Sequence, residues 1–291
     1  MDLTLSHCLT HLLNGVQLGM MLFLMAAGLT LVFGIMNLIN LAHGALYMLG
    51  AYLIVTFQSL TGSFSLALLL ALPSALLLGW CIEKISLRTL YQRDHLDQVL
   101  ATFGLTLFLT ELVRIIWGSQ AYFITTPAAL SHPVTLFGAP YPVYRLLIIA
   151  VGIIVFISLQ LLIHHTRIGM LIRAGASNRE MVAALGVNIR NLYSWIFAVG
   201  AMLAGLAGIM AAPLLSVEPS MGDSILILTF VVIVIGGMGS ITGAFIAALI
   251  VGIVDVVSRV VLPPLFASIT IYILMALTLL WRPQGLLGKS S

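Results

Sequence analysis

The sequence predicts an all-α polytopic membrane protein: one transmembrane domain over residues 1–291, with about nine hydrophobic segments giving eight to ten spanning helices. Three observations predict it. The chain is 61% hydrophobic and 7% charged, against roughly 25% charged in a soluble domain. Long apolar runs recur along its whole length, each near the roughly 20 residues that cross a bilayer. The basic residues gather in only a few of the connections. A chain so divided has no room for a separate soluble domain, and a lipid bilayer rather than a nucleic acid is its expected surrounding.

The spans fall at 10–33, 41–58, 64–82, 98–117, 143–163, 191–213, 223–236, 240–259 and 264–281. The start, Met1-Asp2-Leu3-Thr4, has no positive n-region, and the first run continues far beyond a signal-peptide core, so it is expected to stay as a span. Small residues four apart let helix backbones approach. Gly15 and Gly19, then Gly200, Ala204 and Gly208, then Gly239, Gly243 and Ala247 read as such packing devices. Trp80, Trp117, Trp195 and Trp281 lie at span ends, where amphipathic rings prefer to sit. Cys8 and Cys81 have no metal-ligand spacing and fall on opposite sides of the membrane, so neither a disulfide nor a metal site is expected.

Lys84, Arg88 and Arg93 share one loop, Arg167, Arg173, Arg179 and Arg190 another, and Arg282 and Lys289 the tail. Placing these nine inside leaves only Arg114, Arg145 and Arg259 outside, in the sense of the positive-inside rule. The N-terminus is then periplasmic and the C-terminus cytoplasmic. Glu111 with Arg114 and Asp255 with Arg259 are spaced three and four apart at outer span ends, as local ion pairs or as an entrance for a zwitterion. No acidic residue is expected near the centre of a span, so energy should come from another subunit.

An internal echo relates the two halves, approximately 10–140 and 143–291. Leu29-Thr30 and Gly44-Ala45 recur as Leu228-Thr229 and Gly243-Ala244, 199 positions on. Both stretches are interrupted, the first by Gly34, Asn37, Asn40, His43 and Gly44, the second by Gly236, Gly237, Gly239, Ser240 and Gly243. Paired interruptions point to a transport pathway, because backbone freed from helical bonding at membrane depth is tolerated only where protein buries it or water reaches it. The pathway is therefore expected between these stretches, lined by Asn37, Asn40, His43, Gly44, Thr229, Gly236, Gly237, Gly239 and Ser240. Asn37, Asn40 and His43 recur at intervals of three, as one stripe on a helix. They serve either as helix-bonding and structural groups or as substrate contacts, and Thr229 and Ser240 either line the path or bond back to their own helix.

The longest inner connection, 164–190, contains Ser177-Asn178-Arg179-Glu180, which reads as a capping box. A short amphipathic helix should follow, with Met181, Ala184 and Leu185 on one face and Gly186 at its end. Composition fits two roles equally, an interfacial helix on anionic lipid or a plug for a cytoplasmic ATPase. Gly288-Lys289-Ser290 lacks the first glycine of a phosphate loop and the helix that must follow it, Gly237 to Gly243 has the wrong spacing for a dinucleotide fingerprint, and His164-His165 has no third ligand. An enzymatic reading lacks residues to carry it.

Four stretches together resemble one family. Gly28 to Tyr52 resembles the first signature of the LivH-type permeases of branched-chain amino-acid ABC importers. Arg173 to Asn188 resembles their cytoplasmic loop, Gly236 to Ala244 their late glycine motif and Arg282 to Gly288 their tail. The resemblance implies a permease of the bacterial inner membrane that binds no cofactor, ATP being hydrolysed elsewhere. Its implied partners are a second related permease in a heterodimer, two ATP-binding subunits and a periplasmic binding protein delivering branched-chain or similar hydrophobic amino acids. It makes the loop the ATPase contact, with Arg173, Ser177, Asn178, Glu180, Ala184, Leu185 and Gly186 as the coupling residues. Ala45 stands where some members carry an acid, so no charged contact transfers there. Relatives that import urea or short amides share these motifs, and a stand-alone channel or secondary carrier is the competing class.

Overall fold

The computed structural model describes residues 5–136 and 139–288. Among them are eleven α-helices: α1 Leu5–Met36, α2 His43–Thr61, α3 Phe64–Ile82, α4 His95–Trp117, α5 Val143–His165, α6 Arg167–Ser177, α7 Arg179–Ala184, α8 Ile189–Ala211, α9 Met221–Gly236, α10 Ile241–Val261 and α11 Pro264–Trp281. Eight are long and apolar enough to cross a membrane, and α9, also apolar, has 16 residues. A two-stranded antiparallel ribbon, β1 Pro133–Leu136 and β2 Ala139–Pro142, sits in the long connection before α5. The protein is thus all-α in its membrane part, as its periodicity requires, with one small ribbon the apolar pattern does not announce. Met1 to Thr4 and Lys289 to Ser291 lie outside the described residues.

Helix α1 is the axis of the fold. Its side chains from Met20 to Ala27 are all buried, packed against α8, α10, α5 and α9. Glycines set the closest approaches: a Cβ on Gly15 would lie 2.7 Å from the Ile253 Cα, and one on Gly19 2.7 Å from the Ala248 carbonyl oxygen. Where lipid tails are as apolar as leucine, such close contact is the main source of helix association. The outer helices α3, α4, α5 and α11 expose large apolar side chains such as Leu107, Phe108, Ile154 and Leu277. Water would not tolerate that surface; a bilayer or a second membrane subunit covers it.

The polar ends are tied locally. Trp117 donates from Nε1 to Thr56 Oγ1 at 2.8 Å and its ring lies against Tyr52, so it clamps α4 to α2 as well as marking a span end. Arg114 pairs with Glu111 at 2.6 Å and Arg259 with Asp255 at 2.9 Å, the local ion pairs the spacing allows. Cys8 and Cys81 are free and exposed.

The connection 164–190 corrects two expectations. It holds two helices, α6 and α7, rather than one, and the cap of α7 is Asn178, not Ser177. Ser177 is the last residue of α6 and therefore already helical. Asn178 is extended, at φ −153° and ψ 96°, and its Oδ1 accepts from Met181 N at 3.0 Å. Glu180 then stands one place too early to reach back as a capping-box partner. It sits in the first turn, where the helix dipole favours a negative charge. Gly186 ends the segment at φ +86°, a conformation open to glycine at little cost. Asn188 caps α8 in the same way, accepting from Asn191 N at 3.1 Å.

Candidate functional site

The two interrupted stretches are both real breaks between helices. Helix ends Met36 and Gly236 and helix starts His43 and Ile241 fall within one position of the 199-residue offset. The breaks touch: a Cβ on Gly34 would lie 3.1 Å from the Gly239 Cα. They differ in depth. Ser240, which caps α10 by accepting from Gly243 N, stands level with the last turns of α1. His43 donates from Nε2 to the Met25 carbonyl at 3.1 Å, and its ring lies 3.1 Å from where a Gly28 side chain would begin. Gly28 and Met25 precede Gly34 by six and nine residues, so at 1.5 Å per residue α2 starts about 9 to 14 Å further into the bundle than α10.

The climb is made by residues 37–42. Asn37, at φ +51°, stops α1 in the left-handed conformation that asparagine tolerates better than most residues. Asn40 is fully buried and its Oδ1 accepts from Ala42 N at 3.1 Å; among the described residues its Nδ2 has no hydrogen-bond partner, nor has His43 Nδ1. Thr102, two turns into α4, supports the same climb: its Oγ1 accepts from Leu41 N at 3.2 Å and lies 3.4 Å from the Ile39 carbonyl. Asn37, Asn40 and His43 therefore do not form a stripe on one helix. Asn37 is exposed, Asn40 lies in the connection, and His43 opens α2 as a structural histidine bonded to α1.

A cavity of about 740 Å³ opens between the two breaks and helix α6. It brings together Gly34 and Asn37 from the first stretch, Gly239 and Ser240 from the second, and Arg173 and Ser177 from α6. Arg173 reaches back to the Ile163 carbonyl at the end of α5, and Gln160 donates to Thr242 at 2.6 Å on the same wall. The other expected pathway residues are elsewhere. Thr229 is buried and bonds back to the Ile225 carbonyl at 2.7 Å. Gly44 is pressed on α9, where its Cβ would fall 2.6 Å from the Gly222 carbonyl oxygen. Gly236 meets Gly243, and Gly237, at φ +98°, meets the tail, whose Leu286 and Leu287 amides donate to the Ile235 and Gly236 carbonyls.

Beyond the cavity, α7 turns Val182 inward and leaves Met181 and Leu185 exposed, at 61% and 78%. Glu180 and Ala184 are exposed with them. These residues offer a small apolar face ringed by polar groups, on the side of the molecule that carries the basic loops.

The sequence gives no sign of Glu83, which beside Lys84 at a span end reads as a solvated charge. It is fully buried in a π-helical turn, Glu83–Leu87, and accepts from Tyr91 Oη at 2.6 Å and Ser194 Oγ at 2.5 Å. Burial, then the hydrogen bond to Glu83, pushes the Tyr91 phenol far up from its ordinary value, which keeps it a donor. Next to Ser194, Tyr193 stacks edge-on with Tyr91 and donates to the Ile35 carbonyl at 3.4 Å. One carboxylate thus joins the end of α3 to the start of α8 and, through Tyr193, to the rim of the cavity.

The profile of the family described as branched-chain amino acid transport system / permease component matches residues 11–279. The chain is 30% identical to the high-affinity branched-chain amino acid transport system permease protein BraD of Pseudomonas aeruginosa, over 97% of this chain and 96% of that one. The same figures hold for the LivH permease protein of Escherichia coli. The LivM permease protein of Escherichia coli is 28% identical over 93% of this chain and 68% of its own length. No solved structure matches.

Proposed function

Because the chain belongs to the family of branched-chain amino-acid transport permease components, we propose that it is the membrane-spanning permease of an ATP-driven importer. Its substrate class is branched-chain and similar hydrophobic amino acids. The working assembly pairs it with a second related permease, two cytoplasmic ATP-binding subunits and a periplasmic binding protein. In this reading the basic loops face the cytoplasm of a bacterial inner-membrane system, the N-terminus is periplasmic, and the chain does no chemistry of its own.

The observation that carries the mechanism is the shared wall between loop and cavity. Arg173 and Ser177 belong to the helix that leads into α7, yet line the same cavity as Asn37 and Ser240. Movement of α7 by an ATPase seated on Met181 and Leu185 passes through α6 into the cavity wall. Glu83 holds the other end of the loop, where α8 begins. ATP binding then closes the coupling helices of the two permeases, and the space between them changes the side to which it opens.

Replacing Glu180 or Gly186 in the reconstituted complex tests this. The expected result is ATP hydrolysis that continues while uptake falls, with normal insertion and assembly. Unchanged coupled uptake in both variants removes α7 from the mechanism.

A further inference from the structure

Helix α9 begins beside the deep break. Its second residue, Gly222, packs on Gly44, the second residue of α2, and Gly44 would also meet the Leu226 Cβ at 3.2 Å. The neighbouring His43 bonds Met25 of α1. Met25 and Gly28 flank the middle of Leu18–Met36, a stretch of α1 with no charged residue and Thr30 as its one polar side chain. That stretch is about 28 Å long, close to the thickness of the hydrocarbon core. The second route to the same depth runs through α4, where Thr102 holds Ile39 and Leu41 about 10 Å in from His95. Both put Asp223, the residue after Gly222, inside the bundle, level with the interior of α1 and α4 rather than with their ends.

Asp223 and Ser224 are exposed on the subunit, as is Ile227 one turn further. Among the described residues no cation pairs with Asp223. A bare carboxylate turned to lipid at this depth is costly, and ionisable groups there face a wet path or another subunit. It stands in the first turn of α9, at the positive end of the helix dipole.

We propose that Asp223 is the counter-ion for the ammonium group of the transported amino acid. Ser224 supplies a neighbouring hydroxyl, and Ile227 with the half-buried Phe230 meets the hydrocarbon side chain. The close contact of Gly44 with Gly222 fixes the carboxylate at this depth. The proposal rests on the permease reading and sharpens it: zwitterionic amino acids pair with Asp223, whereas urea and simple amides have no ammonium to offer.

The test uses the complete complex in proteoliposomes, with binding protein, ATP and L-leucine. Asp223→Asn is expected to lower uptake at least tenfold while binding-protein-stimulated ATP hydrolysis stays within twofold and the subunits still copurify; Asp223→Glu recovers part of the uptake. With Cys8 and Cys81 replaced by serine, Asp223→Cys is expected to react with a membrane-impermeant thiosulfonate, more slowly while leucine is being transported. Uptake by Asp223→Asn within twofold of the parent overturns the proposal. So does dissociation of that variant's complex, which assigns Asp223 to a cation on the neighbouring permease, or an inert Asp223→Cys, which assigns it to lipid. Failure of the permease reading looks different: the parent complex itself shows no uptake dependent on ATP and binding protein.

Discussion

The two helix breaks carry the same kind of residues at the same offset, yet one is deep and the other shallow. At the shallow break Gly236 to Ser240 turn within five residues, Ser240 caps the next helix, and the tail covers the released carbonyls of Ile235 and Gly236. At the deep break the chain runs back through Asn37 to Ala42 before α2 starts, and its polar groups are met by Asn40, Thr102 and the first turn itself. The lesson is that an interrupted hydrophobic segment shows where a helix stops, and the packing of its neighbours decides at what depth the next one starts. Here the difference makes the deep break a fixed anchor inside the bundle, between α1 and α9, and the shallow break part of a cavity wall.

The largest expected effect is at the deep break. Gly44→Val places methyl groups where the Gly222 carbonyl already stands 2.6 Å from a Cβ. It should cost about 3 kcal/mol or more by overpacking and abolish uptake. Gly34→Ala at the shallow break meets the Gly239 Cα at 3.1 Å and should cost about 1 kcal/mol. Thermal unfolding of the two purified variants checks the order; equal losses would remove the distinction.

Next comes Asn40→Ala, which strips the Ala42 amide of its buried acceptor. A loss of about 1 to 3 kcal/mol is expected, again read by thermal unfolding. Deleting residues from Gly285 onward should act only on the other break. Amide hydrogen exchange should rise across 236–241, where Leu286 and Leu287 no longer cover Ile235 and Gly236, and stay unchanged across 37–42. The smallest effect sharpens the cap of α7. Asn178→Ala should destabilise that helix by about 1 kcal/mol and weaken coupling of ATP hydrolysis to uptake. Ser177→Ala, which removes no capping bond, should leave the stability of that helix unchanged.

Much of this was legible in the sequence. The apolar runs, the glycine stripes and the Asn and Gly interruptions report local constraints, and the structure has helices, close contacts and breaks at those positions. The cap of α7 falls one residue beyond the one the capping-box pattern marks because Ser177 and Asn178 are both good caps, and only the end of the preceding helix decides between them. Glu83 and Asp223 were not legible, for a shared reason. Each stands at a helix end, where a charge is normally solvated. Glu83 is buried because a π turn carries it inward toward Tyr91 and Ser194, and Asp223 is held beside the start of α2 because Gly222 is tied to Gly44. Neither tie has a signature in the residues next to it. The cavity depends in the same way on three distant segments meeting.

The most direct test of the central claim, that this chain is the path of a driven importer and not a channel by itself, is labelled L-leucine uptake into proteoliposomes. One set would contain the chain alone, the other the chain with its second permease and ATP-binding subunits. The account predicts uptake only in the second set, and only with both ATP and loaded binding protein. Saturable leucine flux through the chain alone would contradict it.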